Sequence, residues 1–536
     1  MKQLEKLTSE QKKLYECLMA YDSIMTNWLD AKEENRIKFK SDPIKAFLDA
    51  TGMGNEEFLA MMHSLDNGKA LSKYMDDGNK FELDEAKTSY TNGWDIVNLA
   101  TVDVINLVLK KLFGDGIQKD YFFKVGEKKT DVTVKVYIEP LEIKELNGTL
   151  ANMRLMLKDC MILGELEGNP VGEIVDEIIV CFDVMLQQVS LETESGKTLD
   201  LYLDIKAQDA IKNPSVDVKS DNIMLKYMLQ GVIEDGIQKI IDSIPIDEPY
   251  KICSIGMDAE KLQKEDWIIP DYASFSGSDV VMENGEFKKE VAVFAKTLDK
   301  NVADLNLNIQ QQFADSKADG TLGIAERLTL GYILPVILAQ ALNDNTVSME
   351  YDEKENYLKI DKTESFSQSG ADVKINDFKV SSRENGFRLA FYIDGIWGAG
   401  MVKFNGPGYC DMKLDFENNE NGESQLLVSV SNPTLNCDTS VPWWEYVIML
   451  AIAITTFVGG LIAALLLNII NIATTIIDSV INRIQNNGID GLPVNVAIPI
   501  EWNNLELLDI ESMNFSKGLH ISYSMKVDQE SIKQQK

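Results

Sequence analysis

The sequence predicts an α+β fold built on antiparallel sheet, and three observations carry that prediction. Apolar and polar residues alternate along many short stretches, which is the strand period of two. Those stretches follow one another as hairpins more often than they alternate with helices, which argues against a doubly wound parallel sheet. Between them run a few longer segments whose apolar positions recur at helical spacing.

Residues 1–85 are polar and helix-forming, with Leu14, Leu18 and Met19, then Ile24, Met25 and Leu29, near helical spacing. Asp42-Pro43 opens a further helix there, since proline is favourable at the first helical position. Asn67-Gly68 and Asp77-Gly78 are turn signals. This stretch is a helical N-terminal extension, packed on the rest or serving as a partner-docking module. From residue 86 the pattern changes. A helix is expected from Asn92-Gly93-Trp94-Asp95, capped by Asn92 or Asp95, with the stripe Ile96, Val97, Ala100, Val104, Ile105, Val108, Leu109 and Leu112. Gly114-Asp115-Gly116 ends it.

Val132, Val134, Val136 and Ile138 alternate as in a strand, as do 178–186 and 199–205. A second helix is expected over 222–243, stopped by Ile244-Pro245, and then a loop-rich connector over 250–290 containing Trp267, Pro270 and Tyr272. A third helix is expected over 322–343, with Tyr332 and Pro335. Strands follow at 357–360, 387–393, 412–416, 426–430, 503–510 and 519–527. Asp115-Gly116-Ile117-Gln118-Lys119 recurs as Asp235-Gly236-Ile237-Gln238-Lys239, an echo short enough to arise by chance. The expected organisation is 1–85, then 86–290, then 291–536.

With 536 residues and 45% apolar content, the chain has material for two or three units with large cores. Its net charge of −33 repels phosphate backbones and anionic headgroups, so nucleic acid is excluded as a partner and any membrane contact must be mainly apolar. The two histidines, His63 and His520, are too few for a multi-histidine zinc site. His63 sits in a helix-like stretch and His520 in a strand, where a structural role is the ordinary one. Six scattered cysteines without CxxC spacing read as free thiols of a reducing compartment. No apolar signal-peptide core follows Met1, so synthesis into the cytoplasm is expected, with any release by another route.

The most unusual stretch is the apolar helical segment 443–484, which carries no charge from Tyr446 to Ile477. Its length meets the requirement for a bilayer span. Gly459-Gly460, the polar residues Thr455, Thr456, Asn468 and Asn471, and the strand-like sequence afterwards favour a helix buried in protein. If the segment does enter a membrane, Tyr446, Phe457, Leu461 and Leu465 mark the part that would do so.

The search for chemistry finds no phosphate loop, GxGxxG, HExxH or GxSxG pattern, and Gly398–Gly408 matches no phosphate-binding spacing. The acidic groups Asp352, Glu353, Glu355 and Asp415, Glu417, Glu420 lack the spacing of a calcium loop and read as solvated faces. No catalytic residue, metal or cofactor is implied, and a non-enzymatic protein is the expectation.

Gly93-Trp94-Asp95-Ile96-Val97, continued by 104–109, resembles the OrfX-type accessory proteins encoded beside botulinum neurotoxins and related insecticidal toxins, of the tubular lipid-binding (TULIP) superfamily. Tyr332-Ile333-Leu334-Pro335 and Pro442-Trp443-Trp444 fit the same resemblance, which covers roughly residues 86–530. It implies two TULIP-like parts, 86–290 and 291–536, in which a strongly curved antiparallel sheet wraps around long helices along an apolar seam. On that reading Trp94, Ile105, Val108, Leu109, Leu112 and Tyr332 would line a lipid-binding groove. A lipid or other apolar ligand and the proteins of a toxin complex would be the partners. A membrane-inserting toxin component using 446–477 and a protein–protein adaptor are the alternatives.

Overall fold

The computed structural model describes residues 16–62, 91–257, 270–435 and 500–528 apart from short internal stretches, with Lys13, Asp84, Trp443, Trp444 and Val447 outside those ranges. The described residues form antiparallel sheets with a minority of helix, as an α+β chain should.

The extension is helical: α1 (Asp22–Ala31), α2 (Glu33–Ser41), α3 (Pro43–Thr51) and α4 (Asn55–Met62). Pro43 takes the first position of α3, and the Asp42 carboxylate accepts from the Lys45 N–H at 3.0 Å. Phe47 and Phe58 are buried with ring centroids 5.5 Å apart. Trp443 stacks on Phe47 at 5.5 Å and donates its indole N–H to Asp22 at 3.0 Å. These contacts make the extension a packed part of its unit. Asn67-Gly68, Asp77-Gly78 and His63 lie outside the described residues.

The expected helix from Asn92 is a turn, a strand and then a helix. Asn92 (φ 50°) and Gly93 (φ 86°) form a tight turn, closed by the Trp94 N–H on the Thr91 carbonyl at 2.9 Å. β1 (Ile96–Thr101) follows and is buried at every residue. Only then does α5 (Val102–Phe113) begin. A strand covered on both faces loses its alternation, so its apolar run cannot be told from a helix by period. Thr101 caps α5, with Asp103 in its first turn and Lys110 and Lys111 in its last, each suited to the helix dipole. Gly114 ends it at φ 81°.

β2 (Ile117–Val125), β3 (Thr130–Ile138), β4 (Glu142–Asn147), β5 (Leu150–Leu166), β6 (Asn169–Met185) and β9 (Ile211–Val218) form one sheet, ordered β2-β3-β5-β6-β9 with β4 beside β5. α6 (Ile223–Ile241) packs on it, capped by the Asn222 side chain on the Leu225 N–H at 3.2 Å. Gly236 of α6 lies against the Phe123 ring, with no room for a Cβ. The two copies of Asp-Gly-Ile-Gln-Lys diverge here: the first runs into β2 and the second lies inside α6.

The expected connector over 250–290 contains strands instead. β10 (Tyr250–Met257) joins β7 (Gln187–Thr193), β8 (Gly196–Leu203) and β21 (Ile500–Trp502) in the order β21-β10-β8-β7. β11 (Pro270–Val281) and β12 (Phe287–Thr297) join β1, β13 (Gly320–Ala325), β22 (Leu505–Phe515) and β23 (Gly518–Val527) in the order β11-β12-β1-β13-β23-β22. Serine and glycine made β11 read as loop. It is an edge strand, where Pro270 at the first position sacrifices no ladder bond. The expected helix over 322–343 likewise starts late. β13 is buried between β1 and β23, a helical turn begins at Glu326, and Thr329–Ile333 forms a π-type turn ahead of Pro335. Wide turns of this kind accommodate a proline, which lacks the N–H and crowds the carbonyl of the preceding turn.

β14 (Ser348–Asp352), β15 (Tyr357–Asp361), β16 (Glu364–Gln368), β17 (Ala371–Arg383), β18 (Gly386–Trp397), β19 (Val402–Asn418) and β20 (Ser424–Leu435) form a seven-stranded sheet. One of its faces buries Leu358, Phe378, Val380, Phe387, Leu389 and Met412. Among the described residues, none of the four sheets closes on itself. Contacts divide the chain into two compact units that interleave along the sequence. The first is Met1–Ser89, Ile324–Ala473 and Ser512–His520, and the second is Tyr90–Gly323, Thr474–Glu511 and Ile521–Lys536.

Candidate functional site

Trp94, Ile105, Val108, Leu109 and Leu112 all belong to the second unit, and Tyr332 to the first. The Trp94 side chain is 2% exposed. It packs with Val97, Leu99, Ala292 and Phe294 in one core cluster, against which Leu305 and Leu307 close. Its ring lies 5.4 Å from Phe294 and 6.0 Å from Tyr272, and its N–H donates to the Asn306 carbonyl at 2.7 Å. Asp95, expected as a helix cap, instead accepts from the Thr297 N–H at 2.9 Å and from Lys296 Nζ at 3.3 Å, so it pins β1 to the end of β12.

Ile105, Val108 and Leu109 are buried on α5, and Leu112 is half-buried. Asn106 holds that helix on β4 by a two-way bond: its amide donates to the Ile143 carbonyl at 3.0 Å and accepts from the Ile143 N–H at 2.8 Å. Tyr332 is exposed. Tyr446, Phe457, Leu461 and Leu465 lie outside the described residues. No helix among the described residues is long and apolar enough to cross a membrane.

The described cysteines Cys17, Cys160, Cys181, Cys253 and Cys410 are free thiols, and burial pushes the Cys160 and Cys410 thiols up to about 12, far from thiolate chemistry. His520 is buried in β23, and desolvation lowers its pKa to about 3. Among the described residues, no group of three or more His, Cys, Asp or Glu side chains is placed to hold a metal ion.

The apolar surface that reaches solvent lies elsewhere. Across β2, β3, β5 and β6 the register sets Phe122 beside Thr133, Thr133 beside Leu163, and Leu163 beside Gly172. Two residues along, Asp120, Lys135, Met161 and Ile174 form the next row. Strand alternation puts both rows on one face, opposite the one that buries Tyr121, Phe123, Val132, Val134 and Ile162. Phe122 is 68% and Ile174 66% exposed, and Met161 and Leu163 are open as well. A Cβ added at Gly172 would meet nothing within 4 Å, so this end of the face is uncovered.

Ile223, Met224 and Tyr227 are also exposed, at the start of α6, whose cap residue Asn222 donates to Glu173 at 3.0 Å. These residues escaped the sequence reading. Tyr121-Phe122-Phe123, aromatic on both faces of a strand, was the one local signal. A cleft of about 460 Å³ near the β4–β5 turn is lined by Glu145, Asn147, Asn152 and Asp183. The Asp183 carboxylate there is already taken by the Asn152 and Asn213 amides at 2.7 and 2.9 Å.

No protein-family model and no curated protein sequence matches the chain. Solved structures do match. The crystal structure of P47 of Clostridium botulinum E1 aligns with a TM-score of 0.50 and 16% sequence identity, covering 81% of this chain and 100% of P47. P47 from Clostridium botulinum A2 aligns with a TM-score of 0.50 and 15% identity, covering 81% of this chain and 98% of its own. A lipopolysaccharide binding protein covers 81% of this chain and 100% of its own at 11% identity, and its TM-score of 0.29 is too low to bear on the fold. The chain therefore shares the fold of Clostridium botulinum P47, which agrees, at the level of fold, with the resemblance carried by Gly93-Trp94-Asp95.

Proposed function

We propose that this chain is a non-enzymatic accessory protein of a bacterial toxin system that binds a lipid or another apolar surface. The exposed face of the β2-β3-β5-β6 sheet carries the reading. Phe122, Met161, Leu163 and Ile174 leave apolar area in water where neighbouring positions are polar, and contiguous exposed apolar patches mark binding sites. The toxin-system part rests on the OrfX-type resemblance and on the fold shared with P47 of a botulinum organism. Wrapping of the sheet along α5 and α6, with an apolar seam between, belongs to the same proposal.

The chain's charge of −33 directs the expectation to zwitterionic rather than anionic lipid. Burying one large apolar side chain contributes about 1.5–3 kcal/mol, so the pair Phe122→Asp and Ile174→Asp is expected to weaken binding by a hundredfold or more, on the order of 3 kcal/mol. Both side chains are exposed, so the folded state should change by only about 0.5 kcal/mol each. Flotation with phosphatidylcholine vesicles tests this: wild type should float and the double variant should remain in the soluble fraction. Equal behaviour of the two proteins, or no flotation of either together with no lipid in an extract of the purified protein, rejects the reading.

A further inference from the structure

One cleft of the first unit gathers four cations in a chain that is acidic overall. Lys379, Arg383, Arg388 and Lys517 line it against two carboxylates, Glu326 and Glu355, in a volume of about 530 Å³. That size suits a small molecule. The cleft lies on the polar face of the seven-stranded sheet, with Ser381 paired to Arg388 across β17 and β18, and Lys379 paired to Ala390.

The cationic groups are held in place. Lys379 Nζ sits 5.0 Å from the centre of the Tyr357 ring, and the Arg388 guanidinium lies 4.2 Å over Tyr409. Arg388 also donates from Nε and Nη2 to the fully buried Asp411 at 2.7 and 2.9 Å, so it forms a fixed wall. Arg383 donates to the Ser382 carbonyl at 3.2 Å.

Lys517 is the informative residue. It has φ 45°, the left-handed region that disfavours a lysine, in the turn between β22 and β23 where glycine or asparagine would be at ease. Its N–H donates to Ser382 Oγ at 3.2 Å, which fixes the turn beside the cleft. Glu326 accepts from the Asn356 amide at 2.8 Å, and burial raises its pKa. At physiological salt the screening length is about 8 Å. Charges beyond that range are screened, so a small ligand meets mainly the groups of the cleft. There Arg388 is paired with Asp411 and Lys379 lies 3.9 Å from Asp377, while Arg383 and Lys517 face Glu326. The overall charge of −33 still repels a polyanion.

We propose that this cleft binds the oxyanion of a small polar molecule, a phosphate ester or carboxylate, with Lys379, Arg383 and Lys517 receiving its charge and Glu326 receiving a hydroxyl or amine of the same ligand. Titration calorimetry with inorganic phosphate, glycerol 3-phosphate and citrate, at ionic strength fixed with sodium chloride, tests it. At least one should bind saturably. Arg383→Gln and Lys517→Gly should each weaken it about tenfold or more, the worth of one charge-assisted hydrogen bond.

Lys517→Gly separates site from scaffold, because glycine suits that backbone and the melting temperature should hold or rise. Phosphatidylcholine vesicles with and without phosphatidic acid identify the source. In the Phe122→Asp and Ile174→Asp background, which should not hold phosphatidylcholine vesicles, retention that needs phosphatidic acid and is lost on adding Lys517→Gly assigns the oxyanion to a headgroup, and binding of the free anions alone assigns it to a soluble ligand. Binding unchanged in both variants, heats that follow ionic strength alone, or no binding of any probe at millimolar concentration overturns the proposal. The apolar sheet face lies in the other unit, so the Phe122→Asp and Ile174→Asp protein should bind these anions as wild type does.

Discussion

Replacing Trp94 by alanine tests whether the space beside it is filled by the protein or kept for a ligand. The indole is 2% exposed, so nearly its whole surface is withdrawn from water. An aromatic side chain buries about 150–250 Å², which at about 25 cal/mol per Å² corresponds to roughly 4–6 kcal/mol as an upper bound. The truncation also removes the hydrogen bond from the indole N–H to the Asn306 carbonyl at 2.7 Å, for about 1 kcal/mol more. Partial collapse of Leu305 and Leu307 into the gap offsets some of this, and about 4 kcal/mol is expected for Trp94→Ala. In a unit of this size that lowers the melting temperature by about 8–16 °C. Differential scanning calorimetry should show the shift in the transition of the second unit and leave that of the first in place. Trp94→Phe, which keeps one packed ring but loses the N–H and part of the indole, should fall about 2 kcal/mol below wild type, less than the alanine variant. A shift under about 3 °C for Trp94→Ala would refute the argument, because it would mean that the indole lines a void and that its neighbours do not depend on it.

Gly236→Ala sets helix propensity, which favours alanine by about 1 kcal/mol, against overlap with the Phe123 ring, itself beside Tyr121 and under Lys239. Packing should win, with a net loss of about 1–3 kcal/mol in urea unfolding that Phe123→Leu partly restores; a stabilised Gly236→Ala protein would contradict it. Asp95→Asn breaks a pair in which both side chains are largely buried and should lose about 3 kcal/mol. A thermodynamic cycle with Lys296→Met should then show coupling, and additive effects would mean that the pair is structurally idle. His520 titrates near 3 when folded and near 6.5 when unfolded. Below pH 6.5 the unfolded state gains a proton that the folded state refuses, so stability present above that pH is lost as pH falls toward 3, at about 1.4 kcal/mol per unit. His520→Leu should flatten that part of the stability curve between pH 6.5 and 3, and curves of the two proteins that run parallel would refute this origin.

The sequence by itself determined the elements whose two faces differ. β3 reads as a strand because Val132, Val134, Val136 and Ile138 are buried between residues that are less so. α6 reads as a helix because its cap Asn222 and its apolar positions are local signals. Tertiary structure decided the rest. β1 and β13 lie side by side in the middle of a six-stranded sheet, where cover on both faces erases the alternation that would have marked them. Ile-Gln-Lys of the repeated pentapeptide lies in a strand at 117–119 and in a helix at 237–239, because burial of neighbours outweighs propensities worth a few tenths of a kcal/mol per residue. The two surfaces proposed to bind ligands depend on partners distant in the chain. Phe122 shares a sheet face with Leu163 and Ile174 only through the register of four strands, and Lys379 shares a cleft with Arg388 and Lys517 only when β17, β18 and the β22–β23 turn converge. A periodicity reports which residues face inward, whereas strand register decides which of the outward ones stand together.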